Sequence, residues 1–317
     1  MHPSAASGRI PLVAPKPTAN LAAWSPMTEA GGRGDAVQAS RAAGPRDEEW
    51  IAACRRAVEK QRRIFREHRG IEARTQYQGV GEGGDNTLVI DRLCEDAIFE
   101  ELETLHEAGH EFTAVSEERG SVSFGDPESP LRVVIDPIDG SLNARRTIPL
   151  HSVSIAVAEG YTMADVTLGY VYEFGAGEEF VATIDGDSLL AGRPLQVSKG
   201  EGLEVIALEA TKPERVLKAA ETLQGLAYRI RVPGSIAVAL CYVASGRYDG
   251  MITTRNCRSV DAAAGQLVAQ RAGAALEFAG GGLEDASLDL SARYDVAAAR
   301  TDADLAILRR AQDAVHA

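Results

Sequence analysis

Val133-Val-Ile-Asp-Pro-Ile-Asp-Gly-Ser-Leu-Asn143 is the stretch on which the reading of this chain turns. Its opening β-branched run reads as a buried strand over 133–135. The strand is predicted to end there and to present Asp136 at its tip. Pro137 fixes its own φ and pushes the residue before it into an extended conformation. Asp139 is predicted to follow one turn later, so both carboxylates can face one point. Gly140 and Ser141 then open a turn or short helix with free backbone N–H groups. Two carboxylates supply hard oxygen ligands, suited to Mg²⁺ or Mn²⁺. The adjacent N–H groups and the Ser141 hydroxyl suit phosphate oxygens. Asp-Pro and Asp-Gly are also common turn dipeptides, so the stretch alone leaves a plain turn open.

Working outward, 1–46 is rich in Ala, Gly, Pro and Ser and has no sustained period, which predicts a disordered tail. Met27 lies inside it and is a candidate true start. Asp47 is a plausible N-cap for a helix carrying Trp50, Ile51, Cys54, Val58, Ile64 and Phe65 and closed by Gly70. A Gly-rich loop follows over 79–84, and the stretch 79–86 that contains it is a candidate mobile lid, from which Asp85 could approach a metal or serve as a plain turn residue. A helix is predicted over 89–105, and strands over 112–115, 153–157, 168–172 and 180–183. Beyond a boundary near residue 190, strands are predicted over 205–208, 248–253 and 296–299. Helices are predicted there over 213–223, 235–244, 261–271 and 302–315. The pattern reads as an α+β half over 47–190 followed by an α/β half over 191–317.

Two further acidic features join the first. Ser116-Glu117-Glu118 ends a predicted strand, and Asp261 begins a predicted helix. Carboxylates at strand ends and helix starts line the ligand crevice of α/β sheets. A solvated pair and a plain N-cap are the alternative readings of these residues.

Val115-Ser-Glu-Glu, Ile135-Asp-Pro-Ile-Asp-Gly-Ser and Val260-Asp-Ala-Ala-Ala-Gly265 together resemble the inositol monophosphatase superfamily, in its order and approximate spacing. The resemblance covers about 48–315 and implies a layered αβαβα sandwich of the inositol monophosphatase/fructose-1,6-bisphosphatase type. It also implies two or three magnesium ions and water as the nucleophile. The metal ligands it implies are Glu117, Asp136, Asp139 and Asp261, with the Ile138 carbonyl. Asp91 and Ser141 match the pair that helps activate water, with Glu117 beside them. Gly140 and Ser141 match the phosphate-binding turn.

Leu142-Asn-Ala144, Val260 and Thr254 depart from the animal inositol monophosphatases. Asp139-Gly-Ser-Leu-Asn-Ala144, Ile148-Pro-Leu-His-Ser-Val-Ser-Ile-Ala156 and Gly234-Ser-Ile-Ala237 are more similar to the archaeal-type branch. Its members often act on both inositol 1-phosphate and fructose 1,6-bisphosphate. By this comparison Arg231, Gly234, Ser235 and Ala237 border the polyol pocket. Arg145 and Arg146 either meet a second phosphate or form a solvated basic turn. Phosphatases of 3′-phosphonucleotides or histidinol phosphate, and a non-catalytic metal- or phosphate-binding protein, are the alternatives.

Composition narrows the partners. A net charge of −13 lacks the basic footprint of a nucleic-acid-binding domain. No apolar run approaches the ~20 residues that span a membrane, and no signal-peptide pattern opens the chain. Four cysteines without a CxxC pair argue against zinc and fit a reducing cytoplasm. The expected partner is a small phosphorylated polyol or sugar, and the resemblance implies a homodimer.

Overall fold

A strand that is apolar on both faces needs cover on both faces. The structure, a computed structural model, describes residues 45–316 apart from 81–85, 199, 201, 210, 211, 255, 279 and 280. Residues 1–44, with Met27, and Asp85 therefore lie outside the described residues. The helices are α1 (Pro45–Glu67), α2 (Ile71–Arg74), α3 (Val89–Glu107), α4 (Ser141–Arg145), α5 (Pro213–Thr222), α6 (Ile236–Ala244), α7 (Ser259–Arg271) and α8 (Asp302–His316). The strands of the first half are β1 (Tyr77–Val80), β2 (Asn86–Leu88), β3 (Phe112–Ser116), β4 (Gly120–Phe124), β5 (Leu131–Asp139), β6 (Ser152–Glu159), β7 (Val166–Glu173), β8 (Glu178–Thr183), β9 (Ser188–Leu190) and β10 (Arg193–Pro194). Those of the second are β11 (Leu203–Glu209), β12 (Ala227–Arg231), β13 (Gly250–Thr253), β14 (Ala275–Phe278) and β15 (Val296–Ala299).

One sheet has eight strands in the order β10-β9-β8-β7-β6-β5-β3-β4, and another has five in the order β12-β11-β13-β15-β14. Side chains alternate across each strand, so each sheet faces two cores. Val133 and Ile135 join α1 and α3 residues such as Trp50, Cys54, Ile98 and Leu102. Val134, between them, joins α6 and α7 instead. On the smaller sheet, Ala207 and Met251 face that same central core, whereas Ile206 and Ile252 face α5 and α8. The layers therefore run helix, sheet, helix, sheet, helix, the αβαβα sandwich that the resemblance implied.

The central layer is made of small residues for a reason. Every residue of α7 from Ser259 to Ala269 is buried, so the helix is enclosed on all sides. A Cβ at Gly169 of β7 would lie 2.5 Å from the Ala264 carbonyl oxygen. The glycine lets the sheet rest directly on the helix backbone.

Three expectations are corrected. The strand over 133–135 does not stop at Asp136 but runs on to Asp139 as β5, beside β6. Its register shifts between Asp136 and Asp139. An irregular strand, not a turn, brings the two carboxylates together. Asp47 is not a cap, because α1 already begins at Pro45. The Gly-rich loop is narrower than 79–84, since Gly79 and Val80 pair with Thr87 and Asn86 in the β1–β2 hairpin.

Replacing Gly169 with valine is expected to cost about 1–3 kcal/mol through overpacking. The check is a urea midpoint that falls while the slope stays constant; an unchanged midpoint contradicts the close contact.

Candidate active site

The site forms where three elements end or begin together. β3 pairs in parallel with β5, Ser116 opposite Ile135, so Glu117 emerges beside Asp136. Asp139 closes β5, and Asp261 sits in the first turn of α7. Carboxylate oxygens of Asp136, Asp139 and Asp261 lie within 4.8 Å of one another, and all three residues are buried.

Each acid is held by hydrogen bonds. The Asp136 Oδ1 accepts from the Ile138 N–H at 3.0 Å. The Asp139 Oδ2 accepts from the Ser235 hydroxyl at 2.5 Å and from the Ala237 N–H at 2.8 Å. Its Oδ1 accepts from the Ile236 N–H at 3.3 Å, so the start of α6 grips this carboxylate and its dipole favours the negative charge. The Asp261 Oδ2 accepts from the Arg258 N–H at 2.8 Å. That bond is a helix-start role, yet Asp261 also faces the other acids.

A cavity of about 320 Å³ opens over this cluster, lined by Glu117, Asp136, Ile138, Asp139 and Asp261 among others. Gly140, Ser141 and Gly234 also line it. The Ile138 side chain is buried with Phe65, Leu88 and Ile90, which leaves its main chain to face the cavity. Gly140 has φ 88°, and a Cβ there would meet the Gly234 carbonyl oxygen at 2.9 Å. The Asn143 amide donates to the carbonyls of Leu150 and Pro233, at 2.7 Å each, and pins the two turns together. The first N–H groups of α4 have no earlier carbonyl within the helix to bond, and they open onto this turn.

Four expected site residues fall outside the lining. Ser235 and Ala237 stand behind Asp139 and orient it. Arg231 is exposed and donates to its neighbour's carbonyl, Ile230 O, at 2.9 Å. Asp91 opens α3, where its Oδ2 accepts from the Leu88 N–H at 3.3 Å. Its Oδ1 is buried with no hydrogen-bond partner among the described residues. Of the basic pair after Asn143, Arg145 stands close enough to Asp91 to stabilise its charge.

Two lining residues carried no signal in the sequence, Glu209 and Arg258. The Arg258 Nη2 bonds Glu117 Oε1 at 2.7 Å and lies 3.4 Å from Asp261 Oδ1. Arg258 sits in the polar stretch 254–259, which reads as a loop. Only the fold shows that it reaches back across the acids.

The electrostatics follow from burial and like charge. Burial first, then the Asp261 charge, pushes the Asp139 carboxyl up to about 7. Burial and the neighbouring Glu117, Asp139 and Asp261 push Asp136 well above the usual range. Burial also raises Glu117, against the pull of Arg258. Asp91 rises to about 7 through burial and the nearby charge of Glu118. Burial opposes the Arg258 charge, but Asp261, Glu117 and Asp136 outweigh it and hold the guanidinium protonated.

Five carboxylates, counting Glu209, line this cavity against one guanidinium. Such an all-oxygen, net-negative set fits a hard divalent cation.

Comparison with known proteins agrees with this geometry. The model of the inositol monophosphatase family matches residues 46–316. The chain belongs to the inositol monophosphatase family. Relatives named as phosphoric monoester hydrolases place the chain among those enzymes. The chain is 32% identical over 260 residues to a fructose-1,6-bisphosphatase/inositol-1-monophosphatase of Methanothermobacter thermautotrophicus, covering 79% of this chain and 91% of the relative. A protein of the same description from Archaeoglobus fulgidus is 33% identical over 233 residues, covering 72% and 85%. The crystal structure of an inositol monophosphatase–fructose 1,6-bisphosphatase superposes with a TM-score of 0.71 at 26% identity, covering 84% of this chain and 98% of that one.

Two outcomes test the family site in this chain. Asp136→Asn should lower turnover by at least about a thousandfold, since several kcal/mol of charge stabilisation are lost, while circular dichroism is unchanged. Near-normal activity would remove Asp136 from the ligand set. The second concerns the metal-free protein. Asp139 rises from 3.8 to about 7 on folding, so between those values the native state binds the extra proton. Stability from this group is present at low pH and lost as pH rises through about 7. In EDTA the wild-type melting temperature should therefore fall from pH 5 to pH 8 more steeply than that of Asp139→Asn. Equal slopes would contradict the buried-charge picture.

Proposed function

We propose that this chain is a magnesium-dependent phosphomonoesterase that hydrolyses inositol 1-phosphate, fructose 1,6-bisphosphate or both. The observation that carries the reading is the meeting of buried Asp136, Asp139 and Asp261 within 4.8 Å. The names of the archaeal relatives support the choice of substrates. Glu117, Asp136, Asp139, Asp261 and the Ile138 carbonyl would hold the cations, with Mn²⁺ as a substitute for Mg²⁺. Bound there, such cations would supply charge neutralisation for phosphoryl oxygens and a lowered pKa for water.

The chain's own residues do the rest. The Gly140–Ser141 turn and the first N–H groups of α4 hold phosphate oxygens. Ser235 and the α6 N–H groups keep Asp139 aimed at the cavity. A carboxyl near 7, as at Asp91, is half-ionised near neutral pH and can accept a proton from water. Ser141 shares the orienting of that water. Gly234 lets the polyol approach the backbone. Arg258 balances part of the cage's charge and keeps Glu117 oriented.

We place the protein in the cytoplasm as a homodimer. Its four cysteines are buried and form no disulfide among the described residues, which supports a reducing compartment. Among the described residues no helix is long and apolar enough to cross a membrane.

The test is phosphate release from inositol 1-phosphate, fructose 1,6-bisphosphate, a 3′-phosphonucleotide and histidinol phosphate, each with and without Mg²⁺. The reading expects Mg²⁺-dependent release from one or both of the first two. Release only from the latter two would overturn the substrate choice. No release from any would overturn the enzyme.

A further inference from the structure

A second cavity has the opposite chemistry. It measures about 400 Å³ and is lined by Arg62, Arg66, Arg69 and Arg74, with no carboxylate among its described lining residues. In a chain of net charge −13, four guanidiniums gathered around one hollow need an explanation.

The protein answers only part of that charge. Arg62 and Arg66 share Glu59, at 3.1 and 3.6 Å. Arg69 and Arg74 pair with no carboxylate among the described residues. The Arg69 Nε donates to the Arg66 carbonyl at 2.9 Å. Arg74 spends three N–H groups on carbonyls, those of His68, Ala144 and Phe65, at 2.9, 2.7 and 3.3 Å. A guanidinium has five N–H groups, so Arg74 is fixed in place with donors to spare. Burial lowers its pKa from the ordinary value, which is the signature of a cation without a counterion.

Beneath the arginines lies a floor of rings. Phe65 is 4.8 Å from Phe174 and 5.1 Å from His151, centroid to centroid. His151 stacks on Phe174 at 5.5 Å. Burial pushes His151 down to about 4, so the ring is neutral at physiological pH and adds no charge to the floor.

We propose that this cavity is a second binding site, for a small phosphorylated metabolite whose phosphate meets the arginines and whose body rests on the rings. Arginine is the side chain best matched to phosphate oxygens. The site is tied to the aspartate cavity, because Arg74 bonds Ala144 in α4, the helix that begins at the Gly140 turn. It goes beyond the phosphatase reading, and its test needs no turnover.

The full-length chain in EDTA is titrated with pyrophosphate by calorimetry. Without cations the aspartate cavity repels this probe, so binding reports the arginine cavity. The expected result is saturable binding of one pyrophosphate per chain. Arg66→Gln with Arg69→Gln should weaken it by at least about tenfold, the scale of one lost charge-assisted hydrogen bond. Arg310→Gln, at an exposed arginine on α8, removes one positive charge away from the cavity and should leave the affinity unchanged. Circular dichroism confirms that each variant folds, and Arg66→Lys with Arg69→Lys should restore part of the affinity. No binding to the wild type, or an equal loss in Arg310→Gln, overturns the proposal.

Discussion

Carboxylates taken out of water repel one another and lose their hydration, and either cost is large without a compensating cation. Asp136, Asp139 and Asp261 accept both costs at once, at 1%, 6% and 3% exposure. Much of the architecture exists to keep them there. β5 carries two of them through an irregular strand end, and α7 carries the third. The N–H groups of α6 hold Asp139 against the repulsion. The Arg258 guanidinium offsets part of the charge but cannot balance five lining carboxylates. What remains is a demand for divalent cations, which is the chemistry that phosphate ester hydrolysis uses.

The layered fold meets this demand by bringing remote segments together without long side chains. The Asp136 and Asp261 positions are far apart in sequence, yet α7 lies against β5, β6 and β7 because its residues are small. Gly169 under Ala264 lets the sheet reach the helix backbone, and Gly265 makes room for the Leu240 side chain, 3.0 Å from its would-be Cβ. A larger residue at either place would move the Asp261 carboxylate relative to β5. Packing in the central layer and geometry in the cavity are one constraint seen from two ends.

The strands that the sequence reveals are those buried on both faces, such as the Val133–Val134–Ile135 run. Those it hides are mostly edges. β4 and β10 bound the large sheet, and β12 and β14 bound the small one. An edge strand such as β12, Ala227–Arg231, is mostly exposed, so it needs no apolar period and shows none. β9 and β10 are also too short to show one. The acidic motifs were legible because each follows or precedes a strong apolar element. Arg258 and Glu209 were not, because a lone charge beside a strand or loop looks like any solvated residue until tertiary contacts place it. Ser235 and Ala237 were legible as part of the neighbourhood, but their contact with the Asp139 carboxylate is visible only in three dimensions. The arginine cavity was hidden for the same reason: Arg62, Arg66 and Arg69 read as the polar face of a helix and its end.

The central claim is that the three aspartates share a divalent cation. Anomalous diffraction from crystals soaked in Mn²⁺ tests it most directly. The account predicts a strong anomalous peak between Asp136, Asp139 and Asp261, within about 2.0–2.6 Å of their oxygens, the range of hard cations on oxygen ligands. A cavity without a peak at saturating Mn²⁺, or a peak on surface carboxylates alone, would contradict it.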